Sequence, residues 1–314
     1  MIPTIFSPEP HRGWLPWAWI SPVVCILIVA FSSVPIDIGL EWIGVVDAEG
    51  KPGSAFEFCV FLLLPFAAMG AAVWAWSRFV ERRSLATLGL TGGQRLRKYL
   101  AGLAIGVGMI VLAVGSIWLA GGYVSGDILP ALSSPASLLW IAILLPCFAF
   151  QSGVEEFIFR GWLLSAATRR LNLAAGFIAS SIAFTFLHFS PHQQPVREIV
   201  MTFTFGMFAC AWAWRAGSIW GVMGWHAGWN WFTGVGFAVP ITELDLQLPA
   251  LLVQLTPSGP DVLTGGPAGP ESSVLTIGLL AAATLLLLLW PRDSMAAAQG
   301  TPPGGSDTTT REST

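Results

Sequence analysis

The sequence predicts an all-α, polytopic membrane protein: a bundle of about eight transmembrane helices with both termini in the cytoplasm. Three observations predict it. First, 54% of the 314 residues are hydrophobic and 11% are charged, whereas soluble domains carry roughly 25% charged residues. Mean hydropathy is +0.69, and a soluble globule needs more polar surface than this to cover its core. Second, apolar runs near the ~20 residues that span a bilayer recur at about 14–34, 55–77, 99–123, 137–168, 174–190, 198–215, 218–238 and 273–290. Third, the charges sort by side. With the N-terminus in the cytoplasm, cytoplasmic segments hold Arg12, Arg78, Arg82, Arg83, Arg95, Arg97, Lys98, Arg169, Arg170, Arg215, Arg292 and Arg311. Outer segments hold Lys51 and Arg197 but are rich in acid: Asp37, Glu41, Asp47, Glu49, Glu243, Asp245, Asp261 and Glu271. This arrangement obeys the positive-inside rule, and the opposite orientation inverts it.

The same numbers exclude other classes. Disordered chains lack this apolar content. A net charge of −3 without a basic, aromatic-interleaved patch gives nucleic acid nothing to bind. No strand alternation is sustained, so a membrane β-barrel is excluded. The bilayer itself is the partner that composition implies, and a plasma or inner membrane is the default location.

Taken in order, residues 1–13 form a short cytoplasmic N-terminus and 14–290 the transmembrane bundle. The first run lacks a basic leader and a small-residue exit, so it is expected to be retained. Glu57 opens the second run near the outer interface and is expected to be structural. The fourth run is too long for one untilted span, and Pro146 is a candidate kink. Residues 239–272, rich in Pro and Gly, are expected to be a long outer loop outside the bundle. Residues 291–314 read as a disordered cytoplasmic tail with no prenylation box. Cys25, Cys59, Cys147 and Cys210 each lie in an apolar run without a CxxC pair, as small buried hydrophobes do.

Ionisable residues inside spans are costly and mark function by default. Glu155, Glu156 and Arg160 share the fourth run. Glu156 and Arg160 stand four apart and form an ion pair on one helix face. Glu155 is rotated about 100° away and lacks that local partner. A carboxylate so placed in low dielectric suits general acid–base work. His188 follows Phe184 by four residues in the fifth run. The turn between these runs centres near Arg170–Leu171, so Glu155 and His188 stand level in an antiparallel hairpin, roughly 24 Å from the turn at 1.5 Å per residue. His226 and Asn230 share a face of the seventh run, among Gly221, Gly224, Gly228 and Gly234. Small residues let helices approach closely, so the His–Asn face projects into a tight polar pocket. The tryptophans around it, including Trp225 and Trp229, read as packing and interface anchors. One base, two imidazoles and an amide can activate water and stabilise an oxyanion.

These residues resemble the CAAX-protease and bacteriocin-processing family of intramembrane proteases, CPBP or Abi. The family pattern is Glu-Glu-x-x-x-Arg, then Phe-x-x-x-His, then His-x-x-x-Asn or a similar small or polar end, and here it reads Glu155-Glu156-x-x-x-Arg160, Phe184-x-x-x-His188 and His226-x-x-x-Asn230. The ordered set covers about residues 140–235. The resemblance implies an eight-span bundle whose site opens toward the cytoplasm and the bilayer, and an endopeptidase acting on a membrane-anchored, prenylated or unprenylated, protein or peptide. It implies that Glu155 and His188 activate water, that His226 and Asn230 bind the oxyanion, and that Glu156, Arg160 and Phe184 support them. The cofactor is zinc, with Glu155, His188 and His226 as candidate ligands, or there is none. A non-catalytic scaffold or bacteriocin-immunity protein is the alternative, and a proton-coupled transporter stands behind it.

Overall fold

The computed structural model describes residues 5–6, 9–90, 92–189 and 195–290. Each apolar run becomes a helix. They are α1 (Ser21–Trp42), α2 (Ala55–Ala75), α3 (Arg95–Leu119), α4 (Pro135–Glu156), α6 (Leu173–Leu187), α7 (Val196–Ala216), α8 (Trp220–Phe237) and α10 (Val274–Leu289). A π-helical turn, Trp76–Val80, extends α2; another, Phe157–Leu163, joins α4 to α5 (Leu164–Arg170). Among the described residues, five helical stretches are long and apolar enough to cross a membrane: Ser21–Trp42, Ala55–Val80, Arg95–Leu119, Pro135–Arg170 and Val196–Ala216. The helices α6 and α10 are shorter apolar helices. The predicted tail at 291–314 lies outside the described residues.

Several expectations are corrected. The first helix starts at Ser21 rather than near residue 14. Proline at its N1/N2 positions suits a helix start, where the missing N–H costs nothing. The preceding Trp-rich stretch is apolar without being helical: Leu15 is buried, and its carbonyl accepts from Arg170 Nη2 at 2.5 Å. Pro146 sits inside a continuous α4. The long run departs from α geometry further on, in the π turn Phe157–Leu163 directly after the carboxylates, where such turns often accompany function. The chain is also not wholly helical. β1 (Tyr123–Ile128) pairs antiparallel with β2 (Val253–Pro257), a contact between distant segments that no local pattern announces.

Residues 239–272 are not a loop outside the bundle. They hold β2, the single helical turn α9 (Asp261–Thr264) and two 3₁₀ turns, and they bury Val239, Ile241, Leu246, Ala268 and Glu271. This cap is tied down by Leu251 N–H to the Val235 carbonyl at 2.6 Å and by Tyr123 Oη–H to the Thr264 carbonyl at 2.8 Å.

The bundle core is the pair α3/α8, which run parallel in close contact. A Cβ on Gly102 would lie 2.0 Å from the Gly221 carbonyl oxygen, one on Gly224 1.9 Å from that of Tyr99, and one on Gly228 2.3 Å from that of Leu103. Only glycine fits at these crossings. Because Gly224 and Gly228 press on α3, His226 and Asn230, offset by two residues, are turned toward α4.

The two ends of the bundle differ in charge. Segments 9–15, 81–90, 161–170 and 215–220 meet at one end. Their links include Ile219 N–H to the Gly89 carbonyl, Arg169 Nη1 to the Glu9 carbonyl, Trp162 Nε1 to Glu81 and Arg83 Nη2 to Ser165 Oγ. There Arg83 is buried against Glu81 at 3.1 Å, and burial brings its guanidinium down to about 10. Among the described residues, every Lys and Arg except Arg160, Lys51 and Arg197 lies at or beside this end. The opposite end carries the cap, the ribbon and the acidic segments. Glu57 serves there as expected: Ser54 Oγ accepts from Glu57 N–H, and Glu57 Oε2 accepts from Gly53 N–H at 2.9 Å, closing the start of α2.

Candidate active site

The helical hairpin of α4, α5 and α6 does what residue spacing predicts. Glu155 Oε1 and His188 Nε2 stand 3.9 Å apart. From α8, His226 Nε2 reaches within 3.6 Å of Glu155 Oε2. Both imidazoles are fixed from behind. His188 Nδ1 is 2.8 Å from the Phe184 carbonyl oxygen, one helical turn back. His226 Nδ1 is 2.8 Å from Glu156 Oε1. Those acceptors place a proton on each Nδ1 and aim each Nε2 at Glu155.

Glu156 and Arg160 form the floor. Both side chains are fully buried, and Arg160 Nη1 donates to Glu156 Oε1 at 3.0 Å. One carboxylate oxygen therefore holds both Arg160 and His226. Arg160 also lies over the Phe184 ring, 4.4 Å from its centroid. Phe184 packs against His188 at 4.2 Å and edge-on to Phe159 at 5.1 Å. This explains the Phe-x-x-x-His spacing: one residue supplies the ring that supports the arginine and the carbonyl that orients the histidine.

Asn230 lies one turn beyond His226, with Nδ2 3.5 Å from Gln151 Oε1. It is placed over the carboxylate's helix rather than bonded to His226. Gln151 itself precedes Glu155 by four residues, so helical periodicity could have found it. Two further residues had no such signal. Phe205 stacks on Phe184 at 5.6 Å and meets His226 at 4.8 Å. Glu271, assigned to an exposed acidic loop, is buried. Its Oε1 accepts from Trp229 Nε1 at 2.6 Å and its Oε2 from Thr242 Oγ1 at 3.2 Å. Burial pushes the Glu271 carboxyl above its ordinary range, against the pull of those two hydrogen bonds.

These groups surround a cavity of about 320 Å³, lined by Gln151, Glu155, His188, His226 and Asn230, by aromatic residues of α2, α4 and α7, and by Ile241, Thr242, Glu243, Leu244 and Glu271 of the cap. A second cavity of about 280 Å³ reaches the same Glu155 and His188 from between α1 and α2. A mouth on the arginine-rich side was expected. The cavity is instead lined from the acidic end, because buried Trp162, Leu163 and Leu164 close the other end beneath Arg160.

Glu155, His188 and His226 are a donor set that zinc accepts. Ligand atoms about 2.0–2.1 Å from a tetrahedral ion stand roughly 3.3 Å apart, and the separations here are 3.6 and 3.9 Å. Among the described residues no group of three or more His, Cys, Asp or Glu is gathered to hold a metal ion.

Residues 135–232 match the family model described as type II CAAX prenyl endopeptidase, Rce1-like. The match runs from the start of α4 into α8 and takes in all three motifs. The match supports, over that stretch, a protease of the CPBP intramembrane family. No curated protein and no solved structure matches the chain.

Proposed function

We propose that the protein is an intramembrane endopeptidase that hydrolyses a membrane-anchored polypeptide with water activated by Glu155 and His188. The observation that carries this reading is the convergence on Glu155 of two imidazole Nε2 atoms, at 3.9 and 3.6 Å, inside a largely buried cavity. A separation of 3.9 Å exceeds direct hydrogen-bond reach and suits one bridging water. Glu155 takes a proton from that water as it attacks the scissile carbonyl, while His188 orients it. His226 in its protonated form, braced by Nδ1–H to Glu156, presents Nε2–H to the developing oxyanion, and Asn230 Nδ2 adds a second donor. Glu155 then delivers its proton to the leaving amine, so the cycle closes with amine and carboxylic acid as products, the acid giving up its proton to the amine or to water on release. The buried pair Glu156–Arg160 keeps His226 in position.

The test is turnover of membrane-anchored fluorogenic peptides by the purified protein in lipid. His188→Ala and Asn230→Ala should each lower kcat/KM by about 3 kcal/mol, roughly a hundredfold, chiefly through kcat. Unchanged kcat in both variants refutes the reading.

A further inference from the structure

The cavity and the charge distribution occupy opposite ends of the molecule. We infer that the site is reached from the non-cytoplasmic side of the membrane, so that its substrate is a membrane-anchored polypeptide whose scissile segment lies on that side. The word substrate rests on the hydrolase reading above; the sidedness does not.

Four observations carry it. The end built from segments 81–98, 161–170 and 215–220 holds most of the basic residues, including Arg83, Arg95, Arg97, Arg169 and Arg170. By the positive-inside rule that end is cytoplasmic. None of those segments lines the cavity; its upper wall is the cap, through Ile241, Thr242, Glu243 and Ala268. Beneath the site the path is shut, with Glu156, Arg160, Trp162, Leu163 and Leu164 each 0% exposed. Finally, the lateral cavity that also reaches Glu155 and His188 is walled by Val29, Ser33 and Asp37, toward the outer end of α1. Both approaches therefore lie on the acidic side.

The lining chemistry agrees. Glu198, Glu243 and Glu271 line the main cavity, and no Lys or Arg does among the described residues. A free C-terminal carboxylate close to the scissile bond meets repulsion there, whereas an internal or cationic segment does not.

The experiment is thiol accessibility in cells expressing the full chain, whose described cysteines are all buried. Glu243→Cys marks the mouth and Arg97→Cys the arginine-rich end. A membrane-impermeant sulfonated maleimide is applied to intact and to permeabilised cells. The expected result is equal labelling of Glu243→Cys in both, and at least tenfold more labelling of Arg97→Cys after permeabilisation. Labelling of Glu243→Cys only after permeabilisation overturns the inference. So does a thiol at 243 or 244 that stays unreactive in permeabilised cells, since the cavity then has no open mouth at the cap. Labelling needs no turnover, so failure of the hydrolase reading and failure of this one are read separately.

Discussion

Replacing Glu156 by Gln separates the structural role of the buried ion pair from its role at His226. In the wild type, Glu156 Oε1 accepts from Arg160 Nη1 at 3.0 Å and from His226 Nδ1 at 2.8 Å, and neither Glu156 nor Arg160 is exposed. The neutral amide leaves the Arg160 guanidinium buried without a counter-charge. Breaking a buried pair from one side costs about 3–5 kcal/mol. The thermal midpoint, followed by the intrinsic fluorescence of the protein in lipid or detergent, should fall by roughly 10 °C. The double variant Glu156→Gln with Arg160→Met removes both charges and keeps the volume, and most of that loss should return, since apolar replacement of a whole buried pair is often neutral. Activity should not return, because His226 Nδ1 no longer faces a carboxylate. Two results refute the reasoning: a double variant no more stable than Glu156→Gln alone, or a single variant costing less than about 1 kcal/mol, the range of exposed pairs.

Three other outcomes follow from the geometry. Gly228→Val should prevent close docking of α8 on α3, where a Cβ would already lie 2.3 Å from the Leu103 carbonyl oxygen; loss of the monodisperse folded peak in size exclusion checks it, and Ala283→Val on α10 serves as a control. Phe184→Leu removes the ring under Arg160 and beside His188 while leaving the carbonyl that anchors Nδ1. It should lower kcat by about tenfold and melt within a few degrees of wild type, consistent with a cation–π contact of about 1–2 kcal/mol. The cap should respond to pH through Glu271. Its folded carboxyl is held above the ordinary range by burial, so its stabilising contribution is full below the ordinary carboxyl range and is lost as pH rises through the raised value. Hydrogen exchange of residues 239–272 should therefore speed up with pH beyond its intrinsic dependence, and Glu271→Gln should abolish that excess.

The legible parts of this molecule were those written in local spacing. Each apolar run holds a helix, five helical stretches among the described residues being long and apolar enough to span a membrane, and a residue count about the Arg170–Leu171 turn brought Glu155 level with His188. Glycines at 221, 224 and 228 and polar residues at 226 and 230 gave the two faces of α8. Pairing at four-residue spacing gave Glu156–Arg160. What escaped depends on contacts between distant segments. Trp229 reads as a packing residue until Glu271 arrives from a Pro/Gly-rich stretch to accept its N–H. The ribbon pairs Tyr123–Ile128 with Val253–Pro257 across most of the motif region, and neither strand alternates cleanly. The first helix boundary was missed because hydropathy counts apolar side chains, and the Trp-rich stretch before Ser21 buries them without helical hydrogen bonds. The side on which the cavity opens is not written in local spacing either: it depends on how the cap and the buried layer of Trp162, Leu163 and Leu164 come together around Glu155.

The central claim is that Glu155 is the base that activates water. Single-turnover hydrolysis of a membrane-anchored peptide by Glu155→Gln tests it most directly, because the amide keeps the shape of the carboxylate and removes its basicity. The account predicts a thermal midpoint close to that of the wild type and a cleavage rate lower by about 10²–10³-fold. A Glu155→Gln protein that cleaves at the wild-type rate contradicts it.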